Sequence, residues 1–498
     1  MPLFRDDAER SLATDLAALV YVNPFLEQRI DHERRILADA YVASQPYWNL
    51  EPDLQRKDNI DAISAKCAAL VETLQERLRG GIIPSDSDLV LHDDVVVYML
   101  YERYREAFLE LAESGQTERV PFYPRFRADV IAYLDDRADA AHLFACLFQV
   151  RRAFHHIFRN IVGRSLPAAR LRAAVWQSIF SFDMRRYRRS LYARMGDVAT
   201  LITGPTGTGK ELVARAIGLS RFIPFDEKRE RFASGAFVGL NLSALSPTLI
   251  ESELFGHRKG SFTGAVGDHT GFLDSCGAHG TVFLDEIGEV EPSVQVKLLR
   301  VIQSRTFQRI GETSTRRFDG KIITATNRDL AAEIDKGRFR EDFFYRLCAD
   351  AIATPALHEQ LAGSEGELAH LVRFISARVA GADEAEELTA EVLAAIARSP
   401  GRDYRWPGNF RELEQCVRSV MLRGEYRPAA AVPSDARLRI TRGMLSGAFT
   451  ADDLLRHYCT LLYANTRNYS QVAEKLGVDR RTVRTKVDAG LLAELDGH

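Results

Sequence analysis

Nothing in this sequence pairs its cysteines. The six of them, Cys67, Cys146, Cys276, Cys348, Cys416 and Cys459, are scattered, and no Cys-x-x-Cys occurs. A disulfide framework and a thiolate zinc site are thereby excluded, and the thiols read as reduced, buried or incidental. Long apolar runs are also missing. The stretch 16–22 is soon followed by Glu27 and Arg29, so no transmembrane segment is expected. The first residues, with Arg5, Asp6, Asp7, Glu9 and Arg10, do not resemble a secretory leader, which points to a cytoplasmic protein. There is little net charge: 66 basic against 69 acidic residues give −3. A chain that coats nucleic acid over its whole surface is excluded, so any DNA contact must come from a local basic patch. Internal repeats and low-complexity segments are absent.

What is present is 498 residues, enough for three or four domains. The first 159 residues carry apolar positions at helical spacing over 9–22, 24–42, 59–78, 93–113 and 127–158, with breakers at Pro46, Gly80-Gly81 and Pro121 to Pro124. The aromatics there (Tyr98, Tyr101, Tyr104, Phe108, Phe144, Phe148, Phe154) read as bundle core, with a ligand pocket as the alternative. The adjacent His155 and His156 point to different helix faces and make a poor metal site. From about residue 160 to 355, β-rich runs at 199–203, 237–241, 280–284 and 321–326 alternate with helices, which predicts a parallel sheet between helical layers. Helical segments follow at 367–379, 389–398 and 409–423, then a Pro/Gly/Ala-rich linker at 425–449 and a helical, locally basic tail at 450–498.

The chemistry begins after the first of those runs. Gly204-Pro205-Thr206-Gly207-Thr208-Gly209-Lys210 stands between a strand and an amphipathic helix. Such a glycine loop curls its N–H groups around phosphate, the following helix aims its positive end at the same anion, and Lys210 reaches the β- and γ-phosphates of ATP. Glu211 occupies the place where a hydroxyl would ligate Mg²⁺, so the metal leans on Asp285, directly or through water. Asp285 and Glu286 end the apolar run 281–284, as carboxylates do at the ligand edge of a parallel sheet. Glu286 suits the general base that orients and deprotonates the attacking water.

With these motifs in place, residues from about 161 to 423 resemble the AAA+ domain of the bacterial enhancer-binding proteins, the activators of sigma-54 RNA polymerase. The resemblance implies an α/β P-loop core at 160–355 and a helical lid at 356–424, flanked by an all-α regulatory domain at 1–159 and an all-α helix-turn-helix at 450–498. It implies that Asn241 restrains the catalytic glutamate and that Asn327, in Ala325-Thr326-Asn327, reads the γ-phosphate. Arg340 and Arg346, in the segment 339–347, would be arginine fingers, and Arg411, in Trp406-Pro407-Gly408-Asn409-Phe410-Arg411, would reach phosphate from the lid. A guanidinium offered by a neighbouring subunit ties hydrolysis to ring assembly, and the resemblance implies a homo-hexamer.

Gly260-Ser261-Phe262-Thr263-Gly264-Ala265 has no task in nucleotide chemistry. Its two glycines let a loop rise and fold back with an aromatic and a hydroxyl at its tip. In the resembled family this loop contacts sigma-54. Ser261 replaces the usual alanine, Arg258 the usual glutamate, Pro205 the glutamate of the P-loop, and 356–360 departs from the usual Leu-Arg-Glu-Arg. The basic stretch 182–196 reads as a solvated face, with a nucleic-acid or partner surface as the alternative, and 221–234 is longer than the family norm.

In the tail, residues 469–478 and 479–489 read as helix, glycine turn, helix, with Asp479 as N-cap. Arg480, Arg481, Thr482, Arg484, Thr485 and Lys486 would face a DNA major groove while Val483 and Val487 face inward. The segment resembles the Fis-type helix-turn-helix. The expected whole is a sigma-54-dependent activator that binds an upstream DNA site and uses ATP and Mg²⁺ to remodel the closed promoter complex. Two alternatives stand beside it: a DNA-binding AAA+ regulator that senses nucleotide without engaging sigma-54, and a general AAA+ remodeller.

Overall fold

The computed structural model describes residues 2–42, 57–115, 118–364, 366–401, 404–428, 436–445 and 447–496. The breaker at Pro46 and positions 429–435 of the expected linker lie outside them. The chain forms two compact units, Met1–Ala394 with Asp403–Leu422, and Ala395–Arg402 with Arg423–His498.

The centre of the first unit is a five-stranded parallel sheet: β1 (Thr200–Thr203), β2 (Phe237–Asn241), β3 (Thr281–Asp285), β4 (Lys321–Thr326) and β5 (Asp350–Ala353), in the order β2-β3-β4-β1-β5. The interior strands β1, β3 and β4 are buried almost throughout, as strands covered on both faces must be. Four strands were expected. The fifth, β5, is short, opens on an aspartate and alternates in burial, so its sequence carries no strand signal. Asp350 is nevertheless satisfied, accepting from the hydroxyls of Ser178 (2.5 Å) and Thr200 (2.7 Å).

The described residues between 2 and 160 are mostly helical, with helices Asp7–Tyr21, Gln28–Leu37, Lys57–Arg79, Asp86–Ser114, Tyr123–Leu134 and Ala140–Asn160. The single helix expected over 127–158 is two. Asp135 adopts a left-handed φ of 48°, and Asp139 restarts the helix by accepting from the His142 N–H. Tyr98, Tyr104, Phe108, Phe144 and Phe148 are buried in the helical core, as their spacing implied.

That core does not end with the N-terminal helices. The long segment after residue 220 forms an antiparallel hairpin, Phe225–Asp226 with Arg231–Phe232, whose two phenylalanines enter the same cluster. Phe232 packs 4.4 Å from Phe148 and Phe225 packs 4.4 Å from Tyr123, centroid to centroid. Burying two such rings contributes roughly 3–6 kcal/mol. The basic stretch also turns inward. Arg185 (2.7 Å) and Arg188 (3.4 Å) pair with Asp94, which is 2% exposed and also accepts from the Tyr21 hydroxyl. Two arginines expected on a solvated face therefore hold the N-terminal helices to the sheet-bearing part. Gln149 adds a third tie, donating to the Ser220 carbonyl (2.9 Å) and accepting from the Tyr187 hydroxyl (2.8 Å).

The second unit contains helices Ala436–Leu445, Ala451–Thr466, Tyr469–Leu476, Arg480–Lys486 and Ala489–Asp496. Cys459, Leu462, Val472, Ala473 and Val483 form its small core. Asn468 caps Tyr469–Leu476 and Asp479 caps Arg480–Lys486, and Gly477 closes the first of these helices. No described helix is long and apolar enough to cross a membrane.

Candidate functional site: a P-loop cleft and a clamped hairpin loop

The C-terminal ends of the parallel strands converge, and each delivers one part of the cleft. β1 runs into Gly204–Lys210, β3 ends at Asp285-Glu286, β4 leads to Asn327, and β5 leads to Thr354. Lys210 opens the helix Lys210–Gly218, and its ammonium donates to the carbonyls of Gly204 (3.0 Å) and Pro205 (3.2 Å). Burial pushes its pKa down, while Glu286 and Asp285 oppose that shift. The Thr208 hydroxyl bonds Pro205 O (2.8 Å) and the Thr354 hydroxyl (2.7 Å), which fixes the loop against β5.

Gly207 has φ 80°, and a Cβ there would collide with the Gly408 carbonyl, so glycine is what lets the lid approach the loop. The lid is held there. Phe410 N–H donates to Gly207 O (3.0 Å) and the Asn409 amide donates to Thr206 O (2.9 Å). Arg411 is exposed, and its Cβ borders Gly207.

Asp285 sits half-buried beside Glu286, and burial first, then the neighbouring carboxylate, raises its pKa. Two carboxylates in that situation are a donor set for a divalent cation, which would relieve both effects. The residues therefore fit a Mg²⁺ at Asp285. Glu286 adopts φ 56°, which turns it out of the strand; its N–H bonds Asp285 Oδ1 (3.0 Å), and its Oε2 accepts from the Asn327 N–H (3.4 Å). Asn327 Nδ2 donates to the Thr206 hydroxyl (3.0 Å).

Other expected residues are placed differently. Asn241 lies in register opposite Asp285, but its side-chain oxygen accepts from Ser243 N (3.0 Å) and Oγ (2.8 Å) rather than meeting Glu286. Glu211 is exposed and pairs with Arg215 (3.0 Å). Arg340 pairs with Asp342 (2.7 Å) and Arg346 is exposed, on a helix anchored by the buried Phe343 and Leu347. Among the described residues neither arginine bonds to Lys210, Asp285 or Glu286 of its own chain. Asn409 and Thr354 were missed as site residues. The one available signal was a Gly-Asn pair at a helix start, where asparagine tolerates a left-handed φ.

Gly260–Ala265 is the tip of a hairpin loop. His257 and His269 pair across its stem, and Arg258 ties the stem to Asp268 (2.5 Å) and Glu312 (3.1 Å). The Lys259 N–H first, then Arg258, holds the Asp268 carboxyl below its usual range. Gly260 (φ 79°) and Gly264 (φ 103°) frame the turn, closed by Gly260 N–H to Ala265 O (2.9 Å). Thr263 is exposed. Phe262, expected exposed at the tip, is half-buried with its ring edge-on to His257 at 4.9 Å. Ser261 packs against Gly311, and its buried hydroxyl has no hydrogen-bond partner.

In the helix-turn-helix, Arg480, Arg481, Arg484 and Thr485 are exposed as expected. Thr482 is half-buried, and Lys486 is not free to face a groove, because it pairs with Asp452.

A parallel sheet with a glycine loop after the fourth strand in its order and paired carboxylates on the strand next but one is the arrangement of a P-loop nucleotide-binding core. Residues 183–353 match the sigma-54 interaction domain. The chain is 43% identical over 225 residues to the Nif-specific regulatory protein of Azotobacter vinelandii, covering 45% of this chain and 40% of that protein. It is 37% identical over 305 residues to the hydrogenase transcriptional regulatory protein HoxA of Bradyrhizobium diazoefficiens, covering 58% and 59%. It is 39% identical over 302 residues to the transcriptional regulatory protein ZraR of Klebsiella oxytoca, covering 58% and 63%. Over this region the chain is thus similar to the sigma-54 interaction domain and to these transcriptional regulators. It spans between two fifths and about three fifths of the length of these relatives.

Proposed function

We propose that the protein is a cytoplasmic, ATP-driven activator of sigma-54 RNA polymerase. The observation that carries this is the pairing, within the region that matches the sigma-54 interaction domain, of a P-loop cleft with a stem-clamped loop that presents Thr263 to solvent. Gly204 to Lys210 would bind the phosphates of ATP, and Asp285 would hold Mg²⁺, which would supply charge neutralisation on the transferring phosphoryl group. Glu286 orients the attacking water and takes its proton. Asn327 and Arg411 report on the γ-phosphate. Arg340 and Arg346 are exposed on one subunit and serve the site of the next in a homo-hexameric ring. The helix-turn-helix, through Arg480, Arg481, Arg484 and Thr485, anchors the ring to an upstream DNA site.

The N-terminal helices regulate the motor from close range. Their last helix, Ala140–Asn160, packs on Lys210–Gly218, the helix that begins at the P-loop lysine. Thr263→Ala tests the coupling. The variant is expected to keep ATP turnover within about twofold of wild type and to lose promoter opening, measured by permanganate footprinting with sigma-54 holoenzyme. Retained opening would contradict the loop's role.

A further inference from the structure

One residue of the phosphate loop is gripped from two directions. The Asn327 side-chain amide donates to the Thr206 hydroxyl (3.0 Å), and the Asn409 side-chain amide donates to the Thr206 carbonyl (2.9 Å). Asn409 is 3% exposed and adopts φ 53°, a left-handed conformation that asparagine accepts more readily than most residues. Its Oδ1 is occupied as well, accepting from the Leu357 N–H (2.8 Å) at the first turn after β5. The amide thus faces an N–H with its oxygen and a carbonyl with its nitrogen, and this donor–acceptor pattern fixes its orientation. The next lid residue, Phe410, donates to the next loop carbonyl, Gly207 O (3.0 Å).

We infer that Thr206 is a positioning residue that couples the lid to the sensor asparagine, and that Asn409 is the lid's half of the link. The helix Asn409–Arg423, which carries Arg411, starts on two consecutive phosphate-loop carbonyls. The Thr206 carbonyl shares one rigid planar peptide unit with the Thr206 α-carbon, so a pull on that oxygen is passed to the α-carbon. A swing of the lid therefore moves the Thr206 α-carbon, and with it the hydroxyl that holds Asn327. The backbone N–H of Asn327 contacts Glu286, so the register of the sensor and of the water-activating carboxylate follows the lid. The lid then sets the rate of the chemical step and not only the affinity for nucleotide.

This rests on the ATPase assignment above, and the test separates the two. In the full chain, Thr206→Val removes the hydroxyl at nearly constant shape, Thr206→Ser restores it, and Asn409→Asp keeps the acceptor for Leu357 while removing the donor to Thr206. Thr206→Val is expected to lower kcat for ATP roughly three- to tenfold, the worth of one neutral hydrogen bond, with KM within about twofold. Thr206→Ser is expected to return kcat to within about twofold of wild type. Asn409→Asp lowers kcat too, and the Thr206→Val/Asn409→Asp double variant falls no further than the worse single one, because both cut the same link. An unchanged kcat in Thr206→Val, a failed rescue by serine, or single effects that multiply in the double variant overturns the link while leaving the ATPase intact. Should Asn409→Asp not fold, the valine and serine variants decide alone. A wild-type chain that turns over no ATP overturns both.

Discussion

Replacing Phe232 by alanine probes how the N-terminal helices are joined to the sheet-bearing core. Phe232 is 4% exposed and sits 4.4 Å from Phe148, 4.9 Å from Phe225 and 5.7 Å from Phe144, centroid to centroid. Truncating a phenylalanine in such a core costs about 3–5 kcal/mol, the transfer term of the lost ring plus the cavity it leaves. Net stabilities are about 5–15 kcal/mol, so this is a large share. The damage is local to a junction, because the ring arrives from the hairpin and two of its partners, Phe144 and Phe148, from the helix Ala140–Asn160. Urea unfolding followed by circular dichroism should show the loss. Hydrogen exchange should quicken in Tyr123–Leu134 and Ala140–Asn160 before it does in β3 or β4. Phe182→Ala is the control: that ring is 84% exposed, and its loss should change stability by no more than about 0.5 kcal/mol. A Phe232→Ala effect below about 1 kcal/mol, or one equal to the control, would refute the junction.

Glu286→Ala should bind ATP with near-wild-type affinity and hydrolyse it at least about a hundredfold more slowly, measured by nucleotide titration and phosphate release; near-normal turnover would remove Glu286 from the water-activating role. Asp285→Asn should raise the thermal midpoint of the nucleotide-free protein at pH 7.5. Burial and Glu286 raise the Asp285 pKa in the fold, so its contribution to stability is fully present below the ordinary carboxylate value and is lost as pH rises through the raised one. The gap between variant and wild type should close toward pH 4, and a midpoint at or below wild type at pH 7.5 would contradict the burial argument. The Arg480→Ala/Arg484→Ala pair should abolish specific DNA binding in a mobility-shift assay while leaving ATP turnover unchanged; retained binding would count against the helix Arg480–Lys486 as the groove reader.

What could be read from the sequence was what is local. The glycine loop, the Asp285-Glu286 strand end, the 260–265 turn and the Asp479 cap each announce themselves within a few residues, because their chemistry depends on neighbours in the chain. Asn409 does not: its partner Thr206 is 203 residues away, and the pairing exists only once lid and loop have met. The same holds for Phe225 and Phe232, apolar residues in a short polar segment whose purpose is an aromatic core built by other helices. Arg185 and Arg188 looked solvated because the compensating Asp94 lies far from them in sequence, 94 residues from Arg188, and meets them only in the fold. Strand β5 was invisible for a different reason: four residues with a leading aspartate are too short for a period to register, and its place is set by pairing with β1.

The central claim is that ATP chemistry in the cleft drives the Thr263 loop against sigma-54. Its most direct test is capture of purified sigma-54 by the full chain in the presence of Mg²⁺ with ADP–aluminium fluoride, a mimic of the transferring phosphoryl group. The account predicts a stable complex that forms with this analogue, fails with ADP or without nucleotide, and is lost in Thr263→Ala. Capture that is indifferent to nucleotide, or no capture by a chain that hydrolyses ATP, would contradict it.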